Sequence, residues 1–185
     1  MAGQPSDEIL VDRAQKGDGQ AFAALYQRYL PRLYNRLRAL IPPEDVEDLT
    51  QDVFLAVVRS LDRFERSSTF ATWLYSITNH KVSDYYRHRG KQPEMTLPSA
   101  RQEAHLVSGD QSSSAEDRAL VRQVLRQLPE RYRQVLLLRF AEDLSFKEIA
   151  QVMDLSLEAT KSLYRRAITA AQEEIAGSDK VTARR

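Results

Sequence analysis

Four side chains in the last third of the chain are spaced to read a polymer of phosphates and bases. Glu158, Lys161, Ser162 and Arg165 stand at i, i+3, i+4 and i+7, with Arg166 alongside. On one helix they form a single stripe of donors, acceptors and cations, which suits hydrogen bonding to base edges and phosphates in a major groove. A solvated face of an ordinary helical hairpin would look the same. A second set lies earlier: Asp45, Asp48 and Asp52 share a stripe, and residues 41–58 hold Glu44, Asp45, Glu47, Asp48 and Asp52 with no basic residue. Acids are favoured near a helix N-terminus, which accounts for residues 44–47 but not for Asp52, more than one turn on. A docking face for a partner with a basic surface accounts for all of them. Paired carboxylates also serve acid–base catalysis, yet no nucleophile, histidine or glycine-rich loop lies beside these. The third set interleaves cations and rings: His80, Lys81, Tyr85, Tyr86, Arg87, His88, Arg89 and Lys91. Cations hold phosphates while flat rings stack on unpaired bases, although basic residues are also favoured at a helix C-terminus.

Each set needs an element to carry it. Within residues 145–175, Ile149, Ala150 and Met153 fall on one face of a short helix, and Thr160, Leu163 and Ala167 on one face of a longer one. This is the spacing of a helix-turn-helix. Ala150 belongs at the crossing, where a larger side chain would hold the helices apart. Asp154, Leu155 and Ser156 form the turn, with Asp154 in the left-handed conformation and Ser156 as N-cap of the second helix.

Upstream, residues 7–16 read as a first helix ended by Gly17, Asp18 and Gly19. A longer helix follows, with Phe22, Leu25, Tyr26, Tyr29, Leu33 and Leu37 at helical spacing and Pro31 as a candidate kink. After Pro42 and Pro43, a helix from Glu44 to about Ser60 turns Val46, Leu49, Val53, Val57 and Leu61 inward. Residues 70 to about 89 form one more helix, packing through Trp73, Leu74 and Ile77. Residues 90–113 are poor in large apolar side chains and carry Pro93, Pro98, Gly109 and a serine run, so they read as a linker between two domains. Ser113 and Glu116 suggest a capping box for a helix carrying Leu120, Val121, Val124 and Leu128. Pro129 opens the next, with Tyr132, Val135, Leu136 and Leu138 as its apolar set.

The totals are consistent with this. The chain has 185 residues, 42% hydrophobic and 29% charged, with a formal net charge of +1 that conceals segregation of sign along the sequence. Cysteine is absent, which excludes disulfides, thiol catalysis and cysteine-ligated zinc, and three scattered histidines offer no metal cluster. No cofactor and no enzymatic activity are expected. No apolar run has the length of a membrane span and no signal segment opens the chain, so a cytoplasmic protein without membrane insertion is expected.

Taken in order, these residues resemble the extracytoplasmic-function (ECF) sigma factors of the sigma-70 family, the dissociable promoter-recognition subunits of bacterial RNA polymerase. The resemblance rests on Ala14–Asp18 (AQKGD) with Ala21–Tyr26 (AFAALY), Asp48–Leu55 (DLTQDVFL), Phe70–Ile77 (FATWLYSI), Leu128–Arg131 (LPER), Leu144–Ala150 (LSFKEIA) and Thr160–Ser162 (TKS). It departs at Thr160, where a hydrophobic residue is usual, and at Leu163 and Tyr164, where a basic residue followed by leucine is commoner.

The resemblance implies an all-α fold of two small helical domains joined by a flexible linker, the C-terminal one a four-helix domain with the helix-turn-helix. Residues 1–91 would form sigma region 2, 92–113 the linker, 114–177 sigma region 4 and 178–185 a charged tail. Asp45, Asp48, Gln51 and Asp52 would dock on the clamp helices of the polymerase largest subunit, with the flap as a further polymerase contact. Ser67, Ser68, Thr69, Trp73, Asn79, Lys81, Tyr85 and Arg87 would capture the opened −10 strand. Ser156, Glu158, Lys161, Ser162, Arg165 and Arg166 would read the −35 element. Core RNA polymerase, promoter DNA and an anti-sigma factor are the implied partners. A self-sufficient helix-turn-helix regulator, binding DNA without polymerase, is the alternative reading.

Overall fold

The computed structural model of the chain describes the backbone of residues 4–88 and 115–182, and the side chains of 4–88 and 120–176 among them. All regular structure in the described residues is helical: α1 (Asp7–Gln15), α2 (Gly19–Leu40), α3 (Val46–Ser60), α4 (Phe70–His88), α5 (Ala115–Gln127), α6 (Glu130–Phe140), α7 (Phe146–Met153) and α8 (Leu157–Thr182), with single 3-10 turns at Pro43–Asp45 and Leu61–Arg63. None of these helices is long and apolar enough to cross a membrane. The expected linker, the Ser113–Glu116 capping box and the basic residues Arg89 and Lys91 lie outside the described residues or side chains.

The N-terminal half is a four-helix unit. Gly17, at φ +87°, ends α1, and Asp18 starts α2 by accepting from the amides of Gln20 (2.9 Å) and Ala21 (3.2 Å). Asp7 then ties the two helices together, accepting from the Arg28 guanidinium and the Tyr29 hydroxyl. Burial, and after it the Asp7 carboxylate, push the Tyr29 hydroxyl well above the ordinary phenol range, so it stays a donor. The α2 stripe is realised in Leu25, Tyr29, Leu33 and Leu37, all buried, while Tyr26 is half-exposed against the ring of Phe54 (centroids 4.5 Å apart). Helix α2 continues through Pro31, which lies on its exposed side. The helix expected from Glu44 instead opens with a 3-10 turn, and its α-helical part starts at Val46. All five residues expected to face inward there, Val46, Leu49, Val53, Val57 and Leu61, are buried.

The C-terminal half closes over Val124, Leu128, Val135, Leu136, Leu138, Leu144, Ile149, Val152, Leu163 and Ala167. Pro129 takes the N-cap position of α6 rather than its first turn, and Val121 is exposed on α5. Helix α8 outruns the expected end of its domain and carries five of the expected tail residues, reaching Thr182.

The two halves do not stand apart. Helix α4 packs on α7, and α2 lies against α6 and α5. Tyr75, from α4, is only 1% exposed and belongs to the core of the C-terminal half, where its hydroxyl donates to Glu142. Arg133, from α6, donates in return to the carbonyl of Ala39 at 3.0 Å. The two expected helical domains thus pack on each other, through a second apolar face of α4 (Ala71 and Tyr75) behind the one that fills its own half.

Candidate nucleic-acid interface and docking face

The helix-turn-helix forms as its residues require. Ser145 and Glu148 make a reciprocal capping box at the start of α7: the Ser145 hydroxyl oxygen accepts from the Glu148 amide (3.3 Å), and the Glu148 carboxylate accepts from the Ser145 amide (2.8 Å). The Ser145 hydroxyl, which also donates to that carboxylate, holds it below the ordinary carboxylate range, with the Ser145 amide adding to the effect. Asp154 ends the helix in the left-handed region (φ 51°, ψ 53°), and Ser156 caps α8 by accepting from the Ala159 amide at 3.2 Å. Thr160 stands where a hydrophobic residue is usual. It is fully buried, and its hydroxyl is satisfied by donating to the Ser156 carbonyl at 3.0 Å, so the polar atom costs the crossing little.

Ala150, 8% exposed, is buried on α7 next to the fully buried Ile149. Ala150→Leu is expected to force α7 and α8 apart, costing about 1–3 kcal/mol by overpacking, which thermal unfolding followed by circular dichroism would read as a lowered midpoint.

With that face buried, α8 presents the recognition stripe outward. Ser156, Glu158, Arg165 and Arg166 are exposed and Lys161 and Ser162 half-exposed. Lys161 donates to Glu158 at 2.9 Å, and this bond holds the Glu158 carboxyl below its ordinary range. Both side chains remain open to solvent, so the pair is a weak one.

On α3, Asp48, Gln51 and Asp52 are exposed as a group, but Asp45 is turned away from them. It is half-buried and accepts from the Tyr85 hydroxyl of α4 at 2.6 Å. One docking candidate and one strand-capturing candidate are thus joined in a seam between helices. Sequence reasoning passed over Leu55 and Val58, which are 51% and 52% exposed on the same helix. The signal was their spacing: Leu55 is i+7 from Asp48, and Val58 is i+7 from Gln51. Acidic and apolar side chains thus follow one another along a single exposed line of α3.

The loop before α4 is held from outside. Gln15 donates to the carbonyls of Leu61 and Phe64, both at 2.9 Å, while Arg66, at φ 57°, donates to Asp12 (3.0 Å) and Gln15 (2.7 Å). Neither anchor was marked by the sequence pattern. Ser67 is exposed and Ser68 half-exposed at the loop tip, and Thr69 caps α4 by accepting from the Thr72 amide at 3.1 Å. Trp73 is half-buried with one ring face stacked on Phe64 (4.7 Å, 24°). Lys81 is half-exposed, Arg87 is exposed and paired with Asp84, and the buried Asn79 Oδ1 has no hydrogen-bond partner among the described residues. Loop tip, Trp73 and Lys81 therefore each keep some accessible surface, whereas Tyr85 is engaged by Asp45. No cluster of acids and histidines suited to a metal occurs among the described residues.

Comparison with known proteins follows the same division. The family description "Sigma-70 region 2" matches residues 25–92, and "Sigma-70, region 4" matches residues 118–170. The ECF RNA polymerase sigma-E factor of Escherichia coli K12 is 32% identical over 185 residues, covering 95% of this chain and 97% of its own. That of Haemophilus influenzae is 32% identical over 177 residues, covering 90% and 94%. Among solved structures, CnrH in complex with the cytosolic domain of CnrY superposes with a TM-score of 0.71 at 28% identity, covering 92% of this chain and 97% of CnrH. The sigma factor RpoE of Bartonella quintana, in complex with the anti-sigma factor NepR, shares the fold with a TM-score of 0.67 at 22% identity, covering 84% and 96%.

Proposed function

The chain belongs to the ECF sigma factors of the sigma-70 family, and on that footing we propose that it binds core RNA polymerase, directs it to selected promoters and helps open them. In this reading residues 1–91 act as region 2 and 114–177 as region 4, joined by 92–113. The exposed α3 face of Asp48, Gln51, Asp52, Leu55 and Val58 docks on the polymerase clamp helices. Asp45 supports that face through Tyr85 instead of touching the partner. The loop at Ser67 and Ser68, with Trp73 and Lys81, captures the opened strand, favouring the melted state by binding it selectively. The α8 stripe reads duplex. An anti-sigma factor is the proposed antagonist, a reading supported by CnrH having been solved with a protein partner, the cytosolic domain of CnrY.

The observation that carries the proposal is that the α8 stripe is exposed on a fully formed helix-turn-helix while a separate acidic and apolar face is exposed on α3. A regulator acting alone needs the first but not the second. Purified chain with core polymerase on a promoter library is expected to yield transcripts from a distinct subset of promoters. Stable, sequence-selective duplex binding without polymerase, and no polymerase-dependent transcripts, would instead establish the lone regulator.

The division of labour has its own test. On a template carrying a pre-opened bubble, transcription by Lys81→Ala or Trp73→Ala chains is expected to recover toward the unsubstituted level, while an Arg165→Ala chain gains little. Equal recovery of all three would remove the assignment of melting to α4.

A further inference from the structure

The first turn of α8 carries an apolar side chain that the core does not claim. Leu157, the first residue of the helix, is 42% exposed and stands outside both cores, whereas Leu155 before it and Tyr164 and Ile168 after it pack against the core of the C-terminal half. Tyr164, at i+7 and so on the same side, lies against the rings of Phe140 (6.1 Å) and Phe146 (5.1 Å). Leu157 is left open beside Glu158, one turn before Lys161 and two turns before Arg165, at the edge of the recognition stripe.

A single exposed leucine is ordinary on a protein surface, but its place here is not. In a helix-turn-helix the N-terminal residues of the second helix are those that reach base edges, so Leu157 enters the groove together with Glu158 and Lys161. Its side chain has no donor and no acceptor. The apolar feature that a major groove displays is the 5-methyl group of thymine, whereas the charged heads of Glu158, Lys161 and Arg165 recognise donors and acceptors. Resting on the function proposed above, we propose that Leu157 reads a thymine of the −35 element through its 5-methyl group, adding an apolar determinant to the polar ones of α8.

The test removes the methyl group and nothing else. In promoter duplex bound by the full chain with core polymerase, each thymine of the −35 element, on either strand, is replaced in turn by deoxyuridine, which keeps the pairing and every hydrogen-bonding atom. At one position this exchange is expected to weaken binding about three- to fivefold, the scale of one methyl group returned to water. At that same position 5-methylcytosine should bind more tightly than cytosine. Both differences should vanish in the Leu157→Ala chain, while Leu157→Met, which keeps an apolar side chain of similar volume, should retain them. Alanine suits a helix, so circular dichroism is expected to show unaltered helix content in the Leu157→Ala chain. A leucine that only stabilised the helix would, once removed, weaken binding to thymine and uracil duplexes alike. Equal affinity for thymine and uracil at every position, or a methyl preference that persists in Leu157→Ala, overturns the proposal. Failure to bind polymerase would remove the proposed function, while the same base exchange in duplex bound by the chain alone would still decide the role of Leu157.

Discussion

Reversing the charge of Asp52, or of Asp48 one turn before it, is expected to lower affinity for core RNA polymerase about a hundredfold, the scale of a central charge lost from a protein interface. Both side chains are exposed on α3 and neither contributes to the core beneath them, which is made by Val46, Leu49, Val53 and Val57. Asp52→Lys should therefore unfold at nearly the same temperature as the unsubstituted chain while failing to shift with polymerase in a binding titration. Leu55 and Val58 complete the patch, so Leu55→Ala is expected to weaken binding without the salt dependence that accompanies a charge. Asp45 makes an informative contrast. Its carboxylate holds the Tyr85 hydroxyl, so Asp45→Lys should disturb the seam between α3 and α4 as well as binding. Unchanged polymerase affinity in Asp52→Lys and Asp48→Lys chains would remove the docking face from α3.

Arg165→Ala carries the second large expectation: loss of about tenfold or more in preference for the cognate −35 element over a mismatched one, the discrimination lost with one bidentate base contact. Arg165 is exposed toward the C-terminal end of the stripe, one turn beyond Lys161, which pairs with Glu158. The comparison must be made in the polymerase-bound state and across salt concentrations. A uniform loss on every sequence, with the salt slope reduced by about one, would place Arg165 on phosphate instead of a base. Lys161→Ala gives a useful companion because it frees Glu158 to repel phosphate, so its loss should exceed that of removing one cation alone.

Much of this was legible in the residues because helices announce their buried face by period. Every residue expected to face inward from α3 is buried, although Thr50 and Phe54 join them, and the turn of the helix-turn-helix was written in Asp154 and Ser156, whose short polar side chains suit a left-handed residue and an N-cap. Segregation of charge marked stripes on α3 and α8 that the fold leaves largely exposed for the same reason: what does not face the core must face water or a partner.

Partner choice at longer range was decided only by the tertiary structure. Nothing local told Asp45 apart from Asp48, because their difference is the Tyr85 hydroxyl, forty residues away in sequence. Arg66 looked like one more polar loop residue until Asp12 and Gln15 were brought to it. Tyr75 is the deepest instance. Helix α4 carries two apolar faces, of which the residue pattern marked only the one with Trp73, Leu74 and Ile77. By itself the sequence determined the helices, their inward faces and the family. The fold alone decided that the second face of α4 is covered by the chain's own C-terminal half, because hydrophobic burial is non-directional and only the packed arrangement selects which surface meets which.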